Sequence, residues 1–294
     1  VIQAHFIAEG SADAETVSEL CQPYASDPAD RWIYFQCLHG LGHGLTMFHG
    51  YELPQALEGC DLLGNNWDRE SCYGGVFMEN IVHATSPHHP ATQLTEGAQE
   101  VSAGEDHAAD HAHSGDMAET PAPAPTFEPL RADEPHYPCS ILDDRYLTAC
   151  YMMQTSAMLW HNGGDVADAA KSCAEAPEGW RQTCFQSLGR DVSSRTLQDP
   201  DAGLRECSAA PETYRGWCYV GLVKNFVDLT ATTDAGFSFC ARVETWAQEQ
   251  CHEAMGEEIG VLFGDAEARR QACSASSNAD LERACRRGAR IRVD

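Results

Sequence analysis

The sequence predicts an all-α protein, an α/α-repeat solenoid of about seven disulfide-stapled helical hairpins with a disordered histidine-rich insertion. Three observations carry this expectation. The 14 cysteines fall into seven consecutive pairs: Cys21 with Cys37, Cys60 with Cys72, Cys139 with Cys150, Cys173 with Cys184, Cys207 with Cys218, Cys240 with Cys251, and Cys273 with Cys285. From the third pair onward the first cysteine advances by 34, 34, 33 and 33 residues, a period of stacked supersecondary units. Apolar residues after the second cysteine follow helical spacing, as in Cys218, Leu222, Phe226 and Leu229.

Each unit reads as helix, turn, helix. An acidic-small step opens the first helix: Asp13-Ala14, Asp165-Val166, Asp201-Ala202, Asp234-Ala235 and Asp265-Ala266. Aspartate there can cap, because its carboxylate accepts free amide hydrogens of the first turn. The turn carries Pro23 and Pro28, Gly64, Pro177 and Gly179, or Pro211. An aromatic residue then opens the second helix: Trp32, Trp67, Tyr146, Trp180, Tyr214 or Trp246. It is expected to pack in the elbow of its own hairpin. Arg31, Arg69, Arg145, Arg181 and Arg215 stand beside these aromatics. Pairing within each unit closes loops of about 11 to 17 residues, worth on the order of 2 to 3 kcal/mol each.

On period, two-helix unit and one staple per repeat, the chain resembles the cysteine-stapled helical repeats of the Sel1-like and tetratricopeptide-like class. The resemblance implies architecture alone. The glycine/alanine signature of that class is missing, and no functional residue is carried over.

Residues 86–135 break the period and divide the chain into repeats 1–2 (1–85) and repeats 3–7 (136–294). The stretch is rich in small, polar and acidic residues and in proline, so it cannot repay its own ordering entropy. Two repeats are marginal alone, so the short block is expected to stack on the long one. Within the insertion, His107, His111, His113 and Met117, preceded by His88 and His89, form a tract suited to metal capture; the competing reading is a solvated acidic linker.

Net charge is −26, with 45 acidic and 19 basic residues. A phosphate backbone would be repelled, so nucleic acid is not an expected partner. Arg283, Arg286, Arg287, Arg290 and Arg292 close the chain, suited to the C-terminal end of a last helix or to an anionic surface. No apolar run is long enough to span a bilayer, which leaves peripheral membrane association open. Disulfides place the chain outside the cytoplasm, in a periplasm, on a cell surface or secreted. A start at Val1 fits removal of a signal peptide or trimming.

The sharpest local motif follows Cys37: His39 and His43 separated by helical i, i+4 spacing, with Gly40, Gly42 and Gly44 between and after them. Two histidines on one helical face suit one metal. Three glycines cost about 1 kcal/mol each relative to alanine, so close backbone packing or a ligand must offset them. The second unit supplies Met78, Glu79 and His83. Counted from the second cysteine, His43 and Met78 share a column, as do His39, Gly74 and Met152. The expected site is therefore His39, His43, Met78 or Glu79, and His83, with His161 able to approach. Histidine with methionine suits copper; histidine with glutamate suits zinc, or iron where positions stay open. The HExxH glutamate base is missing, as is CxxCH.

Three functions compete. The leading one is metal binding, copper or zinc, at the first two repeats. The second is an interaction scaffold, or a peripheral subunit of a membrane-associated assembly, using the concave helix face. The third is a metalloenzyme with Glu79 as base, for which no residue names a substrate. In later units the column becomes Arg190/Asp191, Lys224/Asn225 and Glu257/Glu258, expected as a solvated helix face.

Overall fold

A computed structural model describes residues 1–86 and 126–291. His88, His89, His107, His111, His113, Met117 and Arg292 lie outside the described residues. Among the described residues there are fourteen α-helices and no strand. Helix α1 (Ile2–Glu9) precedes the first hairpin, which is α2 (Ala14–Glu19) and α3 (Arg31–Phe48); the second is α4 (Leu53–Asp61) and α5 (Asn66–Thr85). The third has one α-helix, α6 (Leu147–His161). Then follow α7 (Val166–Glu175) with α8 (Arg181–Arg195), and α9 (Pro200–Cys207) with α10 (Glu212–Thr230). The last two pairs are α11 (Asp234–Cys240) with α12 (Thr245–Leu262), and α13 (Ala266–Cys273) with α14 (Ala279–Gly288).

All seven bridges form within their own unit, as the spacing predicts. In the first three, Cys21 bonds to Cys37, Cys60 to Cys72 and Cys139 to Cys150. In the last four, Cys173 bonds to Cys184, Cys207 to Cys218, Cys240 to Cys251 and Cys273 to Cys285. Cys150, Cys184, Cys251 and Cys285 are buried on α6, α8, α12 and α14, so each staple pins the inner helix of its unit to the segment before it. The Cα–Cα distances run from 5.4 to 5.8 Å, within the range a disulfide requires.

Several local expectations are met and others corrected. The carboxylates of Asp13, Asp165 and Asp265 accept backbone N–H groups and cap α2, α7 and α13. Asp199, not Asp201, caps α9, because Pro200 is pre-set for the first helical position and pulls the start forward. Asp234 is the first residue of α11 and makes no side-chain cap. The third unit lacks a first α-helix; a short 3₁₀ turn, Cys139–Ile141, stands in its place. Pro135 and Pro138 remove amide donors there and disfavour helix in the residues before them.

The final part of the insertion, residues 126–135, is docked on the helices as a largely exposed loop. Asn80 Nδ2 donates to the Pro129 carbonyl at 3.1 Å, and Tyr137 Oη to the Glu128 carbonyl at 2.8 Å. Gln154 Nε2 donates to the carbonyls of Pro135 and Tyr137. Residues 126–138 thus form a strap over α5 and α6, where the missing helix would lie.

Five of the six opening aromatics pack against rings of the preceding unit, whereas Trp32 packs on Phe35 of its own helix. Four of these pack against the residue that follows the second cysteine of the preceding unit, Trp246 meeting Tyr219 at 6.5 Å. Trp180 stacks parallel to Tyr151 at 6.1 Å, Tyr214 on Phe185 at 4.9 Å, and Tyr146 meets Tyr73 edge-on at 5.1 Å. Large rings at this position weld repeat to repeat, since each buries area on both.

Second helices pack side by side, and one rule sets their spacing. The residue five after the second cysteine meets the residue three after the next unit's second cysteine. In three of these pairs both are glycine: Gly42 with Gly75, Gly189 with Gly221, and Gly256 with Gly288. A Cβ on Gly42 would stand 2.0 Å from the Cys72 carbonyl oxygen, and one on Gly221 1.8 Å from that of Gln186. Between α6 and α8 the pair is Thr155 and Ser187, whose hydroxyls bond at 2.6 Å. Helix α1 explains two further glycines, since Ile2 packs against Gly40 and Gly44. The glycines of the first motif are thus offset by helix packing, the first of the two explanations the sequence leaves open.

The array curls until its sixth hairpin meets its first. Helix α12 touches α3. Arg31 Nε donates to the Gly260 carbonyl at 2.8 Å, and the Gly264 amide to the Pro28 carbonyl at 3.3 Å. The short N-terminal block also packs on the long one through α5 and α6.

Candidate functional site

His39 and His43 lie one turn apart on α3. Their ring centres are 5.1 Å apart, nearly edge to face. Gly42 and Gly75 bring α5 into backbone contact one residue before His43, and this places Glu79 opposite it. His43 Nδ1–H donates to Glu79 Oε2 at 2.7 Å. A carboxylate only accepts, so Nδ1 carries the hydrogen, and in the neutral ring Nε2 keeps its lone pair. His39 has room because Gly74 beside it has no side chain; a Cβ there would sit 3.4 Å from His39 Nδ1.

The same register recurs around the inner face. The residue six after one second cysteine meets the residue seven after the next. Ser156 Oγ donates to Asp191 Oδ1 at 2.9 Å, and Lys224 Nζ lies 3.4 Å from Glu258 Oε1 and 2.5 Å from Glu257 Oε2. Arg190 Nη2 donates to Ser156 Oγ at 2.7 Å and to Asp191. This column, expected as a solvated face, is largely buried and ion-paired, with Glu258 only 7% exposed. Burial alone would push the Lys224 ammonium down, but Glu258 and Glu257 outweigh it and raise it.

His39 senses this interior. Burial pushes its imidazole down to about 4, with smaller contributions from His43 and from Arg190 on the far α8. An unfolded histidine titrates near 6.5, so the folded state binds fewer protons between the two values. Stability attributable to His39 is complete above about pH 6.5 and is lost as pH falls toward about 4, by roughly 1 to 3 kcal/mol. Thermal unfolding of the wild type should therefore fall more steeply across this window than that of His39→Gln. Parallel curves for the two would refute the assignment.

The other expected residues stand apart. His83 lies flat on Tyr51, ring centres 3.5 Å apart and planes within 12°, so it does not join His39 and His43. Tyr51 holds a left-handed φ of 67°, uncommon for tyrosine, and only 7% of it is exposed. Tyr51 gave no signal in the sequence, since it lies in a loop outside the cysteine register. Met78 is half-buried on α5. His161 ends α6, away from the pair, where it lines a separate cavity. Among the described residues, no three His, Cys, Asp or Glu side chains are arranged to hold a metal ion. Three of the closing arginines are ion-paired: Arg283 with Asp280, Arg286 with Glu282, and Arg287 with Glu249 and Glu253.

Fold and site define a disulfide-stapled helical-repeat protein with a charged inner face. Its seven intrachain bridges belong to an oxidising environment outside the cytoplasm. Among the described residues no helix is long and apolar enough to cross a membrane. No protein-family model, curated protein or solved structure matches the chain.

Proposed function

We propose that this protein binds one transition-metal ion, copper or zinc, on the inner face of its first two repeats, in a periplasm, on a cell surface or as a secreted protein. His39 and His43 are the donors. Glu79 is reassigned from ligand to orienting partner: it holds His43 Nδ1–H and turns Nε2 toward the ion, as carboxylates do behind metal-bound histidines. The carrying observation is the paired geometry, rings 5.1 Å apart with one already held by a carboxylate. Metal–nitrogen bonds of about 2.0–2.1 Å bring two coordinating rings to roughly this separation. Water or ligands from outside the pair complete the coordination.

The insertion supports the reading by where it is attached. It leaves α5 just beyond His83 and returns at Thr126, whose hydroxyl donates to Glu52 Oε1 at 2.9 Å, next to Tyr51. The described ends on either side of the insertion flank the His83–Tyr51 stack, and ion capture by His107, His111, His113 and Met117 is part of the same proposal. The scaffold reading would use the side chains of the later repeats, where Arg190 pairs with Asp191 and Lys224 with Glu257 and Glu258.

The test is metal content of the oxidised full chain after copper and zinc supplementation, with affinities by titration calorimetry. One tightly held ion per chain is expected. His43→Ala and His39→Ala should each abolish it, and Glu79→Gln should weaken it about 10- to 100-fold. A chain that retains no metal, or alanine variants that bind as the wild type does, would end the proposal.

A further inference from the structure

A cavity in the third repeat has an architectural origin. Elsewhere a first helix packs between consecutive second helices: α4 touches α3 and α5, and α9 touches α8 and α10. In the third repeat the strap of residues 126–138 takes that place. An extended chain is thinner than a helix, so a void of about 230 Å³ remains between strap, α6 and α7. Arg131 and Pro135 line it from the strap, Ala157 and Met158 from α6, Asp168 and Ser172 from α7. It would hold roughly eight waters at about 30 Å³ each, or an organic molecule of similar bulk, below the ordinary range for drug-sized ligands.

The charges select the ligand. Arg131 is already neutralised, its Nε 2.8 Å from Glu128 Oε2 and its Nη1 3.1 Å from Glu134 Oε1. A ligand carboxylate would have to displace two glutamates. Asp168, exposed at the cavity's edge, has only a neutral side-chain partner, the Asn162 Nδ2 donor at 3.1 Å. The whole chain carries −26, a field that concentrates cations and repels anions. Ala157, Met158 and Pro135 supply apolar lining.

We propose that this cavity binds a small primary ammonium compound with a short apolar tail. The ammonium donates to Asp168 and the Ser172 hydroxyl; the tail lies along Met158 and Pro135. His161 stands at the rim, a cavity residue rather than a fifth metal ligand. The assignment is independent of the metal site.

The test uses n-butylammonium chloride on the oxidised full chain, followed by the Met158 methyl resonance, with 1-butanol and butyrate as uncharged and anionic controls. Saturable binding that shifts Met158 is expected, with both controls at least about tenfold weaker, equivalent to about 1.4 kcal/mol. Asp168→Asn, which keeps the side-chain shape, should weaken the amine by a similar factor and leave butanol unchanged. Ala157→Val narrows the void without touching Asp168 and should weaken all three. An unmoved Met158 resonance, butyrate binding as well as the amine, or full affinity in Asp168→Asn would each overturn the proposal.

Discussion

Reduction of the seven bridges unfolds the chain at room temperature, and far-UV circular dichroism should show the loss of helix. Each bridge closes a short loop, with sequence separations of 11 to 16 residues, worth about 3 kcal/mol in the chain-entropy model. The loops follow one another without overlap, so their contributions combine nearly independently and total on the order of 20 kcal/mol. That exceeds the roughly 5–15 kcal/mol by which domains are stable. Even half the model value would leave little reserve. The rate should be limited by access, because most of the sulfurs are fully buried and only Cys37 is partly exposed. Cys21–Cys37 should therefore be the first bridge to accept an alkylating reagent after mild reduction. A reduced chain that kept its helix content and cooperative melting would show that packing, not the staples, carries the array.

The staples were also the most legible part of the sequence, because a covalent link within a hairpin leaves a local, repeating trace. Caps at Asp13, Asp165 and Asp265 are local for the same reason. The closure of the array is not: Arg31 and Gly260 are 229 residues apart, and the arginine that recurs beside the opening aromatics gives no sign of so distant a partner. Helix α1 has no cysteine and stands outside the period. The opening aromatics were visible but their partners were not, since Tyr151 and Phe185 read as ordinary core residues until the stacking direction is known. The candidate site divides along the same line. His43 and Glu79 meet because the column register places them there. Helical spacing also sets His83 beside Glu79, but Tyr51, from the loop after α3, covers the His83 ring.

Gly75→Ala should destabilise the protein by about 3 kcal/mol or more, whereas Gly40→Ala should be neutral or stabilising by up to about 1 kcal/mol. Both glycines are helical, so alanine improves intrinsic propensity at either position, and the contrast isolates packing. At Gly75 the added Cβ would stand 1.9 Å from the His39 carbonyl oxygen and 3.2 Å from the Gly42 Cα, both backbone. Backbone cannot rotate aside, so α3 and α5 must separate. At Gly40 the nearest atom is Ile2 Cδ1 at 3.4 Å, the end of a flexible side chain that moves at little cost. Urea midpoints at unchanged slope would measure the difference. The separation also has a functional consequence, because the same glycine contact sets Glu79 within 2.7 Å of His43. Gly75→Ala should weaken metal binding even where the variant remains folded, and Gly40→Ala should not. Equal midpoints for the two variants would mean that the glycine pair is incidental, and the register that assembles the histidine site would lose its physical basis.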